Sequence, residues 1–503
     1  MSIDDIRDDL RPAPDRLGGT LRITFSAVLV AAVMLAFRMP FLYIGPYLVF
    51  ILSQRDMFLT RAAAALGIVV AVVASLAIYL VAWLAWDTGC LRVGLWTAIF
   101  FGGYFLMRVC AEPRVVLGPL VVVALFAFAF DKAPDPNAVV SQIGWLWAIL
   151  GLFIASTFLT QWLFNAPTGI DLLRRQFREL LVAVEQKSLS RAYGRRSPRR
   201  RLSFEEEETA DRIEKLGMAG VLSDAQARNN RTLLRAAFQA LRAMTGDAMG
   251  ARSPAALAFA AWTRQLRRRI LLGSEAGEIE PWPDPSGLEP ALREAGENLL
   301  AAARNIFSPA AAGQDATGAT HKAPSLLLPD WRTNPEYSRF ALRATLATMG
   351  CYLFMTMTDW NGIHTCLITC AVTALAGTES QIHKQNLRMT GALIGGLLGM
   401  GAVIFLIPRM DSLAAYLCIL AAGTAFAAWV SLGSERISYA GWQIGLAFYM
   451  TALQDPHPTT KLDIIRDRWA GIFIGILAMR AAFVWFAPRQ EGSPARPPCS
   501  DSA

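Results

Sequence analysis

Residues 62–86 read AAAALGIVVAVVASLAIYLVAWLAW, an apolar run of 25 residues without a charged side chain. A helix that crosses the hydrocarbon core of a bilayer needs about 17 to 25 such residues. In lipid, the backbone polar groups must be satisfied within a helix or a closed barrel. The run therefore predicts a transmembrane helix.

Apolar blocks recur along the chain on both sides of a long polar interval. Besides 62–86, they cover 23–37, 93–107, 115–130 and 139–164 before the interval, and 344–358, 362–378, 389–407, 412–434, 437–453 and 469–488 after it. A shorter stretch of about 13 residues, 41–53, indicates a short span or a re-entrant piece. If it is counted as a span, the predicted fold is an all-α polytopic membrane protein with two six-helix transmembrane halves.

The composition of the whole chain excludes other broad classes. Of its 503 residues, 54% are apolar and 17% are charged, and the mean hydropathy is +0.36. Soluble domains carry about 25% charged residues. Disordered chains combine few apolar residues with a high net charge. Neither class fits these values.

The polar interval, 165–338, predicts a separate helical domain. Apolar residues recur every three to four positions in 172–186, 209–215, 225–244 and 255–272, which is the period of an amphipathic helix. Segments 191–208 and 308–324 lack this pattern and are predicted to be loops. This domain separates the transmembrane halves 23–164 and 339–488, and the tails are 1–22 and 489–503.

Arginines near the span ends decide the predicted orientation. Those before the first span are Arg7, Arg11, Arg16 and Arg22, and those after the sixth are Arg174, Arg175 and Arg178. Flanks rich in Lys and Arg stay on the cytoplasmic side. We therefore expect cytoplasmic termini, a cytoplasmic central domain and a multi-pass protein of the bacterial inner membrane. No signal peptide is expected, because the first apolar block follows a tail with both charge signs.

An arginine-rich run within the central domain has two interpretations. Arg195, Arg196 and 199–201 are followed by the acidic run 205–208. Such a run binds anionic lipid or nucleic acid, or it is a solvated anchor on the inner side. We favour the anchor and expect no nucleic-acid partner.

Short matches suggest that the two halves are repeats. Ser53, Gln54 and Arg61 recur 327 residues later as Ser380, Gln381 and Arg388, and Gly118 recurs as Gly445. With six helices per half, such repeats point the same way, as in transporters built of two parallel halves.

The pattern R-x-x-G-x-x-x-G occurs at Arg388, Gly391 and Gly395, and again at Arg468, Gly471 and Gly475. Glycines four residues apart leave one side of a helix bare, so a neighbouring helix can approach closely. We therefore predict that these glycines serve helix packing. An arginine one turn earlier reaches either lipid headgroups or an anion, and for Arg388 the choice between interface and substrate attraction stays open.

Ionisable groups within the spans are functional candidates by default. His364 follows Asp359 and Trp360 at the start of the eighth predicted helix, and histidine changes charge in the physiological pH range. It either relays protons or hydrogen-bonds within its helix. Glu379 and His383 form a similar pair, for which an interfacial ion pair is the preferred interpretation.

No motif for catalysis, a cofactor or a metal is visible. A Walker A loop needs Gly-Lys, and this dipeptide does not occur in the chain. No nucleophile elbow or zinc helix is present. Cys366 and Cys370 share a helix face near His364, but no fourth ligand stands at metal spacing, so packing is the preferred interpretation. We expect no enzyme activity and no cofactor, and energy must come from an ion gradient or a partner.

Residues 360–399 read WNGIHTCLITCAVTALAGTESQIHKQNLRMTGALIGGLLG. This helix with an opening Trp, the polar hairpin after it and the motif at Arg388 resemble the fusaric acid resistance family. The resemblance covers nearly the whole chain in layout, but the motifs match only in the second half. In the first half, Arg61 corresponds to Arg388, but Ala64 stands at the position that corresponds to Gly391.

The family includes aromatic acid exporters and inner-membrane components of multidrug efflux systems. The resemblance implies export of small amphipathic or aromatic organic acids and possibly other drugs, driven by the proton gradient. It also implies a periplasmic membrane fusion protein and an outer-membrane channel as partners, with a homo-oligomer left open. The alternative is a gated organic-anion channel in which Arg388 and Arg61 set the selectivity. A third interpretation is a scaffold whose cytoplasmic helices bind partners.

Overall fold

The computed structural model describes residues 10, 16–53, 57–110, 113–165, 167–194, 202, 204, 206–218, 221–244, 254–272, 290–307, 327–328, 330–374, 378–433, 435–453 and 463–485. Within these residues the chain is helical, and no strand forms. A single isolated antiparallel β-bridge joins Cys110 and Leu327. The prediction of an all-α fold is confirmed.

The chain divides into two compact units. The first comprises 1–53, 62–163 and 323–503, and the second comprises 54–61 and 164–322. The apolar blocks fall in the first unit and the polar interval in the second. Residues 54–61, which carry the start of a long apolar helix, are grouped with the polar interval.

Within the described residues, the first half of the sequence forms six helices. They are α1 (Arg16–Ala36), α2 (Ile44–Leu52), α3 (Met57–Ala85), α4 (Gly89–Val109), α5 (Pro113–Phe130) and α6 (Pro136–Leu163). Helix α2 has only nine residues. At 1.5 Å per residue it is about 14 Å long, less than half of a hydrocarbon core of about 30 Å. The stretch 41–53 is therefore not a full helical span.

The second half, in the residues that the structure describes, also forms six helices. They are α12 (Pro335–Met357), α13 (Thr365–Ala374), α14 (Thr378–Gly401), α15 (Leu413–Ser431), α16 (Glu435–Ala452) and α17 (Asp463–Trp485). A short 3₁₀ turn, Asn361–His364, precedes α13, and a π-helical turn, Ala402–Leu406, follows α14. Helix α13 has ten residues, so the second helix of each half is short.

Eight helices are long and apolar enough to cross a membrane. Within the described residues they are Arg16–Ala36, Thr60–Ala85, Gly89–Val109, Pro136–Leu163, Pro335–Met357, Asn386–Arg409, Leu413–Ser431 and Arg466–Trp485. Val115–Phe130 is a shorter apolar helix. Large apolar side chains such as Trp83, Trp162 and Val484 are exposed on these helices, as expected of surfaces that contact lipid. The chain is a multi-pass membrane protein.

The helices of the two halves are interleaved in the hydrophobic cores. One core combines α4 and α5 with α12 and α13, and the other combines α1 and α2 with α15 and α16. The two halves of the sequence are therefore not two separate bundles. Apolar periodicity along a sequence identifies helices but carries no information on which helix each one meets.

The packing follows the repeat that the sequence suggests. Helix α1 packs against α15 and α6, and its counterpart α12 packs against α4 and α17. Likewise α2 packs against α6 and α16, and its counterpart α13 packs against α17 and α5. Exchanging the halves therefore exchanges these contacts.

The repeat is broken where α14 meets α16. Gly391, Gly395 and Gly399 of α14 have Ala64, Ile68 and Val72 as counterparts on α3, and Ile68 and Val72 are exposed. The glycines let α14 lie directly on α16, whereas branched side chains at the same positions of α3 keep neighbouring backbones away.

The second unit is a helical domain with its own core. It comprises α7 (Gly169–Ala192), α8 (Glu206–Met218), α9 (Asp224–Ala243), α10 (Pro254–Leu272) and α11 (Pro290–Phe307). Thr168 and Ser223 form capping boxes at the starts of α7 and α9. Phe177, Leu180 and Phe259 are among the buried core residues. Helix α11 was not expected from the sequence.

Several predicted features fall outside the described residues. They are the arginine run at 195–201 and the segment 308–324. Helix α7 extends to Ala192 and α8 begins at Glu206, so the two ends of the predicted loop 191–208 are helical.

Candidate anion-binding site

Arg388 lies on α14 one turn before the glycines that bring this helix onto α16. A Cβ on Gly391 would lie 2.6 Å from the carbonyl oxygen of Ala440, and one on Gly395 would lie 2.2 Å from that of Ile444. Only glycine permits backbones this close. Arg388 consequently enters the protein interior, and only 3% of its surface is exposed.

The guanidinium group of Arg388 has few polar partners. Its Nη1 donates a hydrogen bond of 3.2 Å to the hydroxyl oxygen of Tyr439 on α16. Its Nε is buried without a hydrogen-bond acceptor. A buried cation without a counter-charge is costly, because the desolvation of the ion is not compensated.

The second copy of the motif places another arginine in the same way. A Cβ on Gly471 of α17 would lie 2.8 Å from the carbonyl oxygen of Ile363, and one on Gly475 would lie 2.7 Å from that of Cys366. Arg468, one turn earlier, is also 3% exposed. Its Nη1 contacts the sulfur of Met450, a weak acceptor, and its Nε and Nη2 are buried without an acceptor.

Tyrosine hydroxyls lie within the electrostatic reach of both arginines. The charges of Arg388 and Arg468 act on the phenol of Tyr47, near the start of α2, and the charge of Arg468 also acts on Tyr43. The two arginines act on each other as well. In the part of the chain that the structure describes, neither arginine pairs with a carboxylate. Two buried cations and several phenols thus share this region, and within the described residues no carboxylate pairs with either cation.

His364 lies next to the second arginine. Its ring stacks on Phe128 of α5, with ring centroids 4.7 Å apart and planes 12° apart. Its Nδ1 lies 3.2 Å from the carbonyl oxygen of Asn361. The charges of Arg468, Lys132 and Asp467 all act on this ring. The ring of His364 is therefore held by stacking on Phe128 and by its contact with a backbone carbonyl, and two cations and one acid act on it.

Asp359 and Trp360 lead into the turn that carries His364. Asp359 is exposed, adopts a left-handed φ of 48° and accepts a hydrogen bond of 2.7 Å from Nδ2 of Asn361. Aspartate tolerates this backbone conformation better than most residues. Trp360 is half-buried against the hydrophobic core that contains α12 and α13.

The remaining sequence candidates lie elsewhere. Arg61 belongs to the second compact unit, and its side chain is exposed on α3. Glu379 and His383 are on α14, but their side chains fall outside the described residues.

The threonines of α12 and α13 use their hydroxyls within their own helices. Thr345, Thr348 and Thr369 donate to carbonyl oxygens four residues earlier at 2.7 to 2.9 Å. Thr348 also shares a hydrogen bond of 2.6 Å with Tyr104 of α4. The bond between Thr348 and Tyr104 and one of 3.4 Å from Thr365 to the carbonyl oxygen of Arg468 join neighbouring helices. Hydroxyls with partners of these two kinds favour packing over a polar pathway at these positions.

A second polar cluster was not found from the sequence. Asp131 at the end of α5 accepts a hydrogen bond of 2.6 Å from the hydroxyl of Tyr352 on α12, and it lies 3.3 Å from Nε of Arg92 on α4. The signal available in the sequence was an Asp directly after the apolar run 115–130. Its partners are distant in the chain, so the cluster could be seen only in the fold.

The chain is similar to curated proteins named Multidrug resistance protein MdtO. It is 25% identical over 492 residues to those of Escherichia coli O157:H7 and of strain K12, which covers 95% of this chain and 70% of each relative. The protein of that name from Shigella flexneri is 38% identical over 167 residues, covering 33% of this chain and 24% of the relative.

Family models and solved structures gave no match. No family model matches the chain. No solved structure matches it. The similarity to the MdtO proteins nevertheless extends over almost the whole chain, and it confirms that this protein is similar to the fusaric acid resistance family, with its aromatic acid exporters and multidrug efflux components.

Proposed function

We propose that this protein is an efflux transporter that exports small amphipathic or aromatic organic acids across the bacterial inner membrane. The multidrug resistance proteins that it resembles and its multi-pass helical fold both support efflux. The buried arginines support an anionic substrate. The remaining parts of the proposal are the proton gradient as driving force, a periplasmic membrane fusion protein with an outer-membrane channel as partners, and cytoplasmic termini.

The observation that carries the proposal is the uncompensated burial of Arg388. A charged residue inside a membrane protein marks a substrate or ion pathway by default, because its burial is expensive unless something pairs with it. Arg388 is 3% exposed, and its Nη1 donates a hydrogen bond to the phenol of Tyr439. A substrate carboxylate would supply the missing charge through a charge-assisted hydrogen bond.

The short helices point to the same region. In transporters with internal repeats, short or Gly/Pro-interrupted segments at corresponding positions of the two halves mark the binding site. Helix α2 contains Gly45, Pro46 and Tyr47 and follows Tyr43, and the turn before α13 contains Gly362 and His364. We propose that these two segments supply the phenols and the histidine of the site.

We propose six helical segments per half, with α2 and α13 as interrupted spans around the site. His364 is the proposed proton carrier, because histidine changes charge in the physiological pH range and this one lies at the start of α13, beside Phe128 of α5. Gly391, Gly395, Gly471 and Gly475 serve helix packing, and Asp359, Trp360 and Arg61 remain candidates for the pathway. Lipid surrounds the first unit.

The test is accumulation of radiolabelled benzoate and hydroxybenzoates in cells that lack or express the protein, with and without a protonophore. We expect lower accumulation on expression, and loss of this difference with the protonophore. Arg388→Gln should abolish the difference, whereas Arg409→Gln, at an exposed arginine of the same segment, should preserve it. Equal accumulation in all cells at matched expression would contradict the proposal.

A gated organic-anion channel is the second candidate, and the buried arginines favour it equally. A channel needs no proton carrier. His364→Gln separates the two functions. A proton-coupled exporter with this substitution should no longer export the acid against its concentration gradient, whereas a channel should keep its anion conductance in proteoliposomes.

A further inference from the structure

We infer that Arg388 and Arg468 together form one site for an organic acid that carries two negative charges, such as an aromatic dicarboxylate. This inference rests on the proposed function and specifies its substrate class. It adds Arg468, Tyr47 and Tyr43 to the site, and it predicts a preference that a site with a single arginine would not have.

The two arginines converge from different helices. Arg388 comes from the middle of α14, and Arg468 comes from the second turn of α17. The two helices pack against each other, and Nε1 of Trp469 donates a hydrogen bond of 3.2 Å to the carbonyl oxygen of Ala392, so they meet next to both arginines. The charges of both arginines also reach the phenol of Tyr47. The same arrangement of glycines on both helices turns both side chains into the protein.

The unused donors of the pair exceed what one carboxylate needs. Nε of Arg388 and Nε and Nη2 of Arg468 are buried and have no acceptor within the described residues. A carboxylate binds one guanidinium group through two parallel hydrogen bonds. Because the two guanidinium groups come from different helices, a carboxylate that pairs side-on with one of them leaves buried donors of the other without an acceptor, and a second carboxylate would use them.

The charge balance also indicates a ligand with two carboxylates. Asp467 is the sequence neighbour of Arg468, but its carboxylate pairs with Arg466 at 2.8 Å. Two buried cations repel each other, and a monocarboxylate would leave one of them uncompensated. A dianion neutralises both, and the phenols of Tyr43 and Tyr47 offer hydroxyls and ring faces beside it.

The test compares isophthalate with benzoate, which share a ring and differ by one carboxylate. Their affinities for the purified full-length protein in lipid nanodiscs are measured by calorimetry at pH 7.5. We expect isophthalate to bind at least about tenfold more tightly than benzoate, since a hydrogen-bonded charge pair typically contributes that much or more. Arg468→Gln should reduce this ratio to near one while changing benzoate affinity less than about threefold. Arg409→Gln should leave both affinities unchanged.

The outcomes separate this inference from the proposed function. If wild-type protein binds both acids equally, or if Arg468→Gln weakens both equally, the two-cation site is wrong and organic-acid export still stands. If neither acid binds, the proposed function fails as well. Arg468→Lys guards against misfolding of the Gln variant, because it keeps the charge and should retain a preference for isophthalate. Loss of that preference in a Lys variant that elutes as the wild type would also overturn the inference.

Discussion

Replacing Gly395 with alanine should separate α14 from α16. A Cβ at this position would lie 2.2 Å from the carbonyl oxygen of Ile444 and 2.8 Å from its Cα. Both are backbone atoms, so no side-chain rotation relieves the overlap and the helices must move apart. Overpacking of this kind costs about 1–3 kcal/mol. Gly401, on the same helix, has no atom within 4 Å of an added Cβ and has helical backbone angles, so Gly401→Ala is the matched control.

Both variants gain the helix propensity of alanine, up to about 1 kcal/mol, so the difference between them isolates the packing term. In detergent, unfolding by SDS titration should show Gly395→Ala less stable than Gly401→Ala by about 1–3 kcal/mol. Efflux that depends on Arg388 should fall with it, because the separation of α14 and α16 moves Arg388 away from Tyr439. Equal unfolding free energies for the two variants would refute this account of the motif.

Two further predictions concern other parts of the chain. Tyr352→Phe removes the hydrogen bond to Asp131 and should destabilise the protein by about 1.5–3 kcal/mol, the usual contribution of a bond to a charged group; Tyr79→Phe, at an exposed tyrosine, should change the unfolding free energy little. The hydrogen bonds from Thr168 lower the pKa of the Asp171 carboxyl in the capping box of α7. The folded state thus holds this proton less tightly than the unfolded state, so the contribution is present above the ordinary aspartate pKa of about 3.9 and is lost as the pH falls through the lowered value. Amide exchange in the first turn of α7 should be slower in wild type than in Asp171→Asn at pH 6, and a difference that persists at pH 2 would contradict the assignment.

Most of the long spans were predictable because lipid makes a strong demand on composition, but the apolar block 362–378 contains only the ten-residue helix α13. Charge-free blocks of sufficient length, such as 62–86 and 139–164, coincide with α3 and α6. Helix ends were less predictable: α1 begins at Arg16 and α12 at Pro335, well before the apolar blocks begin. For α12 the reason is local, since Asn334 caps the helix and Pro335 occupies its first turn. Charged first turns lie outside the apolar pattern.

The partners of each side chain were not predictable. The motif R-x-x-G-x-x-x-G marks both Arg388 and Arg468 in the sequence, but nothing in the sequence places Tyr47 within reach of them. Tyr47 and Arg468 are 421 positions apart in the chain. Their proximity arises because α16 packs against both α2 and α17, which a periodicity of apolar residues does not encode.

The repeat explains why the site occurs once and not twice. At the offset of 327 residues, Arg388, Arg468 and Tyr47 correspond to Arg61, Ser141 and Ala374. The fold repeats the helices, and so each half has a short second helix and an equivalent set of neighbours. The chemistry is not repeated, because only the second half combines the glycines that bury an arginine with a second arginine to meet it. Arg61, which lacks such glycines, stays exposed. The symmetric scaffold therefore carries a single pair of buried arginines, and under the proposed function a substrate has one binding position, at the two helices of the second half that carry these arginines.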